Sequence, residues 1–161
     1  MFGKSRKLLS AGVSVSGFRL PRLDGRETSL EDITAAGPAL LAFFKVSCPV
    51  CQLALPYLER IHSPGRLSVY GMSQNDPEDT REFNRRFGVT FPVLLDKEET
   101  GFQVSNTFGI SSVPTLFLVE RDGTVSRVIE GWNKIEVQRL GAQAGVNPFR
   151  EGESVPDWKA G

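Results

Sequence analysis

Cys48 and Cys51 are the only cysteines of the chain, and both stand in the run Phe43-Phe44-Lys45-Val46-Ser47-Cys48-Pro49-Val50-Cys51. They fall where an apolar run gives way to a helical pattern. With Cys48 capping a helix and Cys51 one turn in, the two side chains share a face and can close a disulfide with little backbone movement. The unpaired N–H groups and the dipole at the start of such a helix favour negative charge on the first sulfur. Cys48 is therefore the expected nucleophile, and Cys51, further in, the resolving thiol. The chemistry this pair suits is thiol–disulfide exchange: Cys48 attacks a partner disulfide, and Cys51 resolves the mixed disulfide in a fast intramolecular step. A bridge across so short a loop constrains the unfolded chain only weakly, so a purely structural staple is not expected.

Several elements must position this pair. Ala39-Leu40-Leu41-Ala42-Phe43-Phe44 has no polar interruption, which predicts a strand covered on both faces at the centre of a sheet. The cysteines then sit beyond its carboxyl end, where open α/β sheets place their chemistry. From Pro49 the apolar residues Leu53, Tyr57, Leu58 and Ile61 recur at helical spacing, with Pro56 inside. Arg66-Leu67-Ser68-Val69-Tyr70-Gly71-Met72 reads as a second, parallel strand, and Asp76-Pro77-Glu78 opens a helix that Gly88 closes. Phe91-Pro92-Val93-Leu94-Leu95-Asp96 reads as extended, and residues 98–108 as one helix closed by Gly109. Thr115-Leu116-Phe117-Leu118-Val119 and Thr124-Val125-Ser126-Arg127-Val128-Ile129 form a hairpin across Asp122-Gly123. A helix over residues 133–144 ends at Gly145. Ahead of all this, Val13-Ser14-Val15-Ser16 and Phe18-Arg19-Leu20 alternate toward the turn at Asp24-Gly25 and predict an N-terminal hairpin or edge. Ser29 caps a short helix, with Asp32 in the reciprocal position.

The expected architecture is α/β, a mixed sheet with helices on both sides. Its parts are an N-terminal segment over residues 1–11, a domain over residues 12–145 and a tail over residues 146–161, with Phe149 and Trp158 as candidate anchors. A chain of 161 residues is long enough to bury a single core. Nineteen basic and nineteen acidic residues cancel, so no global field draws it to nucleic acid or an anionic membrane. Lys4, Arg6 and Lys7 before Leu8-Leu9 faintly imitate a leader, but the serines and glycines that follow break the apolar stretch. No run approaches the roughly 20 apolar residues that span a bilayer. A cytoplasmic location is the reading.

The chain resembles thioredoxin-fold redoxins of the TlpA/ResA type within the AhpC/TSA redoxin superfamily. The resemblance rests on Phe18-Arg19-Leu20-Pro21-Arg22-Leu23-Asp24-Gly25-Arg26 and on Leu41-Ala42-Phe43-Phe44 leading to Cys48-Pro49-Val50-Cys51. Pro56 sits at the position of that fold's helix proline. Val89-Thr90-Phe91-Pro92-Val93-Leu94-Leu95-Asp96 resembles the family's central insert, and Val113-Pro114-Thr115-Leu116 resembles its cis-proline segment. It implies a thioredoxin-like fold with an N-terminal β extension, and a cis Pro114 opposite the cysteines, presenting the Val113 backbone to a substrate chain. Ser47, Pro49, Val113 and Pro114 would form the substrate rim, and protein thiols and disulfides the partners. It also implies an extracytoplasmic habit, the alternative to the cytoplasmic reading.

Two positions depart from the pattern. Ser47 replaces the tryptophan that most of these proteins carry before the first cysteine. Ala42 falls where thioredoxin buries an acid, so proton transfer at Cys51 must use another group or water. Lys45 would lower a thiolate pKa if its side chain reached the pair; the other reading is a solvent-exposed lysine. No cofactor and no metal are expected: His62, the sole histidine, would make at most three soft ligands with the pair and lies at the far end of its helix. Glu59 is too far along the helix to serve as a proton donor, and Trp132 reads as core cover or as a lining of the site. A peroxiredoxin-type peroxidase is the alternative reading, but it needs a Thr or Ser three residues before its cysteine and a Pro ahead of that. Cys51 would place Cys48 and Phe44 at those positions, and Cys48 would place Lys45 at the first. A redox-inert binding module is the third reading.

Overall fold

The computed structural model describes residues 7–62, 64 and 66–161, so Lys4 and Arg6 lie outside the described residues. The elements run β1 (Arg19–Pro21), β2 (Glu27–Ser29), α1 (Leu30–Thr34), β3 (Ala39–Phe44), α2 (Pro49–His62), β4 (Ser68–Ser73), α3 (Pro77–Phe87) and β5 (Val93–Leu95). A 3-10 turn at Glu98–Thr100, then α4 (Gln103–Phe108), β6 (Thr115–Val119), β7 (Val125–Glu130), β8 (Trp132–Asn133), α5 (Lys134–Ala144) and β9 (Trp158–Lys159) follow.

The central sheet has five strands in the order β5-β4-β3-β6-β7. Its middle strand is β3, parallel to β4 and antiparallel to β6. None of its six residues has exposed surface, which is what an uninterrupted apolar sequence requires. Successive side chains divide between two cores. Leu40, Ala42 and Phe44 join Leu55, Leu58 and Ile61 of α2, Phe83 of α3 and Leu140 of α5. Leu41 and Phe43 point the other way, to Ile33 of α1, Phe108 of α4 and Phe117 of β6. Each such Leu or Phe contributes about 1.5–3 kcal/mol on burial, so β3 binds both helical layers to the sheet. The arrangement is the thioredoxin-like one.

Local chemistry sets the element ends. Ser29 Oγ accepts the Asp32 N–H at 3.1 Å while Asp32 Oδ2 accepts the Ser29 N–H at 3.0 Å, the reciprocal cap read from the sequence. Asp76 and Asn133 cap α3 and α5. Both helices end on a left-handed glycine, Gly88 and Gly145, a conformation that a Cβ disfavours.

Three expectations are refined or corrected. The N-terminal hairpin and edge are both present but made by different residues: the hairpin joins β1 to β2 across the Asp24-Gly25 turn, while Val13 and Val15 exchange backbone bonds with Val125 and Gly123 at the sheet edge. Alternation did not reveal the partner. The turn decides it: the Arg22 N–H donates to the Arg26 carbonyl at 2.7 Å, and Asp24 accepts the Arg26 N–H at 3.0 Å. The single helix expected over residues 98–108 is broken at Gly101 and Phe102, both left-handed. Buried Asp96 is the cause. Its carboxylate accepts the N–H groups of Val104 at 3.2 Å and Ser105 at 2.7 Å, and so caps a fresh helix start from outside it. In the tail, Phe149 is an anchor, its ring 5.3 Å from Tyr57 and 6.2 Å from Trp132. Trp158 is not: the residue is 61% exposed, and its backbone pairs with Asn133 in β8. Among the described residues no helix is long and apolar enough to cross a membrane.

Candidate active site

The sheet register assembles the site. Because β3 and β4 are parallel, their carboxyl ends share an edge, with Phe44 level with Ser73. Antiparallel β6 begins at that edge, Thr115 facing Phe43, so the residues before Thr115 stand beside those after Phe44. Cys48 and Val113, 65 residues apart, meet here: the Cys48 thiol donates to the Val113 carbonyl at 3.4 Å. The Val113-Pro114 peptide is cis. Pro114 is buried, Val113 half-buried, and Ser47 and Pro49 are exposed beside Cys48.

Cys48 caps α2. Its carbonyl accepts the Gln52 N–H at 3.0 Å, the first bond of the helix, and its sulfur accepts the Cys51 N–H at 3.2 Å. Pro49 takes the first helical position, where a missing N–H costs nothing. Both thiols are free, Cys48 half-buried and Cys51 fully buried. Burial pushes the Cys51 thiol far above its ordinary pKa, and its hydrogen bond with Cys48 adds to the rise. The backbone N–H of Lys45 and its charge pull the other way, so the influence of Lys45 falls on the resolving thiol. Ala42 lies in the same buried cluster as Cys51 and offers no acid. Burial thus divides the pair into a half-buried Cys48, whose sulfur accepts an N–H, and an interior Cys51 thiol that stays protonated.

Two residues that hold the approach to Cys48 went unread in the sequence. Asn75 Oδ1 accepts the Val46 N–H at 2.9 Å, and Gln52 Nε2 donates to the Val46 carbonyl at 3.0 Å. Val46 thereby has both backbone groups satisfied by side chains. Asn75 is fixed in turn through its own N–H, which donates to Ser73 Oγ at 3.1 Å, and Ser73 Oγ lies 2.7 Å from Thr80 Oγ1. The signal for Asn75 was the polar run Ser73-Gln74-Asn75 at the carboxyl end of β4, and its meaning depends on a register that only the folded sheet displays.

Other candidates stay apart from the pair. Glu59 accepts the N–H groups of Thr90 at 2.6 Å and Phe91 at 3.0 Å, and so pins the central insert. His62 closes the opposite end of α2, where its Nδ1 accepts the Val69 N–H at 3.1 Å. Trp132 is core: fully buried, with its indole N–H donating to the Pro156 carbonyl at 2.6 Å. Among the described residues no three His, Cys, Asp or Glu side chains gather into a metal-binding group.

Fold and paired thiols define a thioredoxin-fold redoxin. The model of the AhpC/TSA family matches residues 11–128, and the chain belongs to that family. It is 29% identical over 134 residues to the thiol-disulfide oxidoreductase ResA of Geobacillus thermodenitrificans, spanning 81% of this chain and 75% of that one. A protein of Bacteroides thetaiotaomicron described as a putative protein disulfide isomerase superposes with a TM-score of 0.75 at 21% identity, over 85% of this chain and 89% of its own. The peroxidoxin BcpB of Mycobacterium tuberculosis superposes with a TM-score of 0.70 at 21% identity, over 84% and 96% of the two chains. The shared fold therefore does not choose between disulfide exchange and peroxide reduction; the site must.

Proposed function

We propose that the protein is a thiol–disulfide oxidoreductase acting on protein partners through Cys48 and Cys51. The observation that carries the reading is the Cys51 N–H aimed at Cys48 Sγ at the start of α2, with the cis-Pro114 segment alongside. A thiolate on Cys48 attacks one sulfur of a partner disulfide, forming a mixed disulfide, and the other partner sulfur leaves as a thiolate that takes a proton. Once Cys48 is bonded to the partner, its sulfur carries no negative charge to oppose ionisation of Cys51. The Cys51 proton passes to the leaving partner sulfur or to water, and its thiolate attacks Cys48. The Cys48–Cys51 bond forms, the partner departs with two thiols, and two electrons have moved from the pair to the partner. The reverse sequence oxidises a dithiol.

The division of labour follows from burial. Cys48 reaches solvent and Cys51 does not. With Ala42 in place of a buried acid, the Lys45 backbone N–H and charge are the groups that ease ionisation of Cys51. Ser47, Pro49 and the half-buried Val113 form the surface that a partner meets, and buried Pro114 stands behind them, its cis peptide setting the Val113 backbone. The balanced charge of the chain leaves recognition to this surface.

The test is trapping. Cys51→Ser should accumulate mixed disulfides with disulfide-bearing proteins, and Cys48→Ser should not; the reverse pattern would exchange the two roles. Hydrogen peroxide belongs in the same experiment, because consumption well above that of a free thiol, abolished by Cys48→Ser, would move the protein to peroxidase chemistry. Neither Phe44 nor Lys45 supplies the proline or hydroxyl that a peroxidatic cysteine uses, which favours exchange. The reduction potential of the pair, measured against a spread of about −270 to −120 mV for such folds, assigns it as reductant or oxidant.

A further inference from the structure

Residues 146–161 form a strap that runs from the far end of α2 back to the paired thiols. It is held along its length. Arg60 grips Glu153 through two bonds of 2.7 and 2.8 Å and donates to the Pro148 carbonyl at 3.0 Å. Phe149 packs on Tyr57 and Trp132, and the Trp132 indole N–H holds the Pro156 carbonyl. The Lys134 N–H donates to the Asp157 carbonyl at 2.9 Å, and Trp158 and Lys159 then pair as β9 with β8.

The end of this strap rests on the backbone that flanks the thiols. Gly131, the residue between β7 and β8, donates its N–H to the Pro114 carbonyl at 2.8 Å, and a Cβ on it would run into the Lys159 carbonyl. Gly161 lies so near Val113 that a Cβ there would stand 2.5 Å from the Val113 oxygen and 3.4 Å from Ser112 Oγ. The Val113 carbonyl, which receives the Cys48 thiol, thus also has the Gly161 backbone close against it. An extended polypeptide approaching Cys48 pairs with an open backbone edge, and its bonds need that carbonyl free.

We propose that the strap end, residues 158–161, is a specificity element of the exchange site: it occupies the backbone track beside Val113, admitting small disulfides to Cys48 and admitting extended polypeptide disulfides only when it lifts. This inference rests on the exchange reading above. Selection arises because a polypeptide must first displace the strap, so its rate is scaled by the fraction of molecules with the strap open, whereas a small disulfide needs only the exposed part of the Cys48 sulfur.

Two variants test it in the full chain. Gly161→Leu places a side chain against Val113 and lifts the end directly. Glu153→Gln loosens the grip of Arg60 at a distance from the thiols. The readout is the ratio of two second-order rates for the reduced protein, one with an unstructured peptide carrying a single internal disulfide and one with hydroxyethyl disulfide. With a strap open in about one molecule in ten, each variant should raise this ratio, by up to about tenfold. A ratio that stays constant overturns the inference. So does a ratio that falls, which would make the strap a binding wall for polypeptides. Wild-type protein that exchanges with neither probe would overturn the exchange reading itself, a result separable from both because it appears before any substitution.

Discussion

Raising the pH should destabilise the reduced protein through a single thiol. Cys51 is fully buried, and its burial holds ionisation well above the range of a free thiol. In the unfolded chain the same group titrates near its ordinary pKa of about 8.5. Above that pH the unfolded state sheds a proton that the folded state keeps. The contribution is therefore whole below about pH 8.5, then falls by about 1.4 kcal/mol per pH unit until the folded thiol ionises too. Between pH 8.5 and 10.5 the loss from Cys51 alone comes to about 2.3 kcal/mol, allowing for half-ionisation of the unfolded thiol at the lower limit. Other groups titrate in the same window, so the measurement is a difference. Urea unfolding of wild type and of Cys51→Ala, both kept reduced with a phosphine, gives two curves of stability against pH. The alanine variant begins lower because sulfur contacts are lost, but its curve should be flatter by about 2.3 kcal/mol over those two units. Parallel curves would refute the reasoning, since Cys51 would then ionise as readily folded as unfolded.

Two further outcomes follow from contacts away from the sulfurs. Asn75→Ala leaves the half-buried Val46 N–H without its acceptor, so it should cost about 1 kcal/mol, a fall of roughly 3 °C in Tm, and slow the alkylation of Cys48 by loosening its approach; unchanged stability and unchanged alkylation would remove Asn75 from the site. Arg60 holds the Glu153 carboxyl at about 2, against an ordinary value of 4.5, with the Arg150 backbone N–H assisting. That depressed value means the anchoring is complete above about pH 4.5 and is lost as the pH falls toward 2. Emission from Trp132 in a Trp158→Phe background should report strap release over this range, and the transition should vanish in Glu153→Gln.

The readable and unreadable parts of this protein divide along sequence distance. Ser29 and Asp32, Asp76 and Gly88, Asn133 and Gly145 set helix ends through contacts within a few residues, so their roles could be inferred from spacing. The unbroken apolar run of β3 declared its central place because any polar side chain there would be stranded. Asp96 and Asn75 could not be read in the same way. Asn75 acts on Val46, 29 residues away, a contact that exists only because β3 and β4 are in register, and Asp96 reaches past the 3-10 turn to the N–H groups of Val104 and Ser105, outside the spacing of an ordinary cap.

Within the sequence itself lay the redox pair: two cysteines at helical spacing, one able to cap and one a turn inside, a relation that the local backbone enforces whatever surrounds it. What only the tertiary structure decided was the setting of that pair. Cys51 became an interior thiol because β3 and α2 close over it, Val113 came within reach of Cys48 because antiparallel β6 starts where β3 ends, and the strap reached Val113 because Arg60, Trp132 and β8 hold it. Burial, desolvation and strand register are sums over residues distant in the chain, and they exist only once the chain has folded.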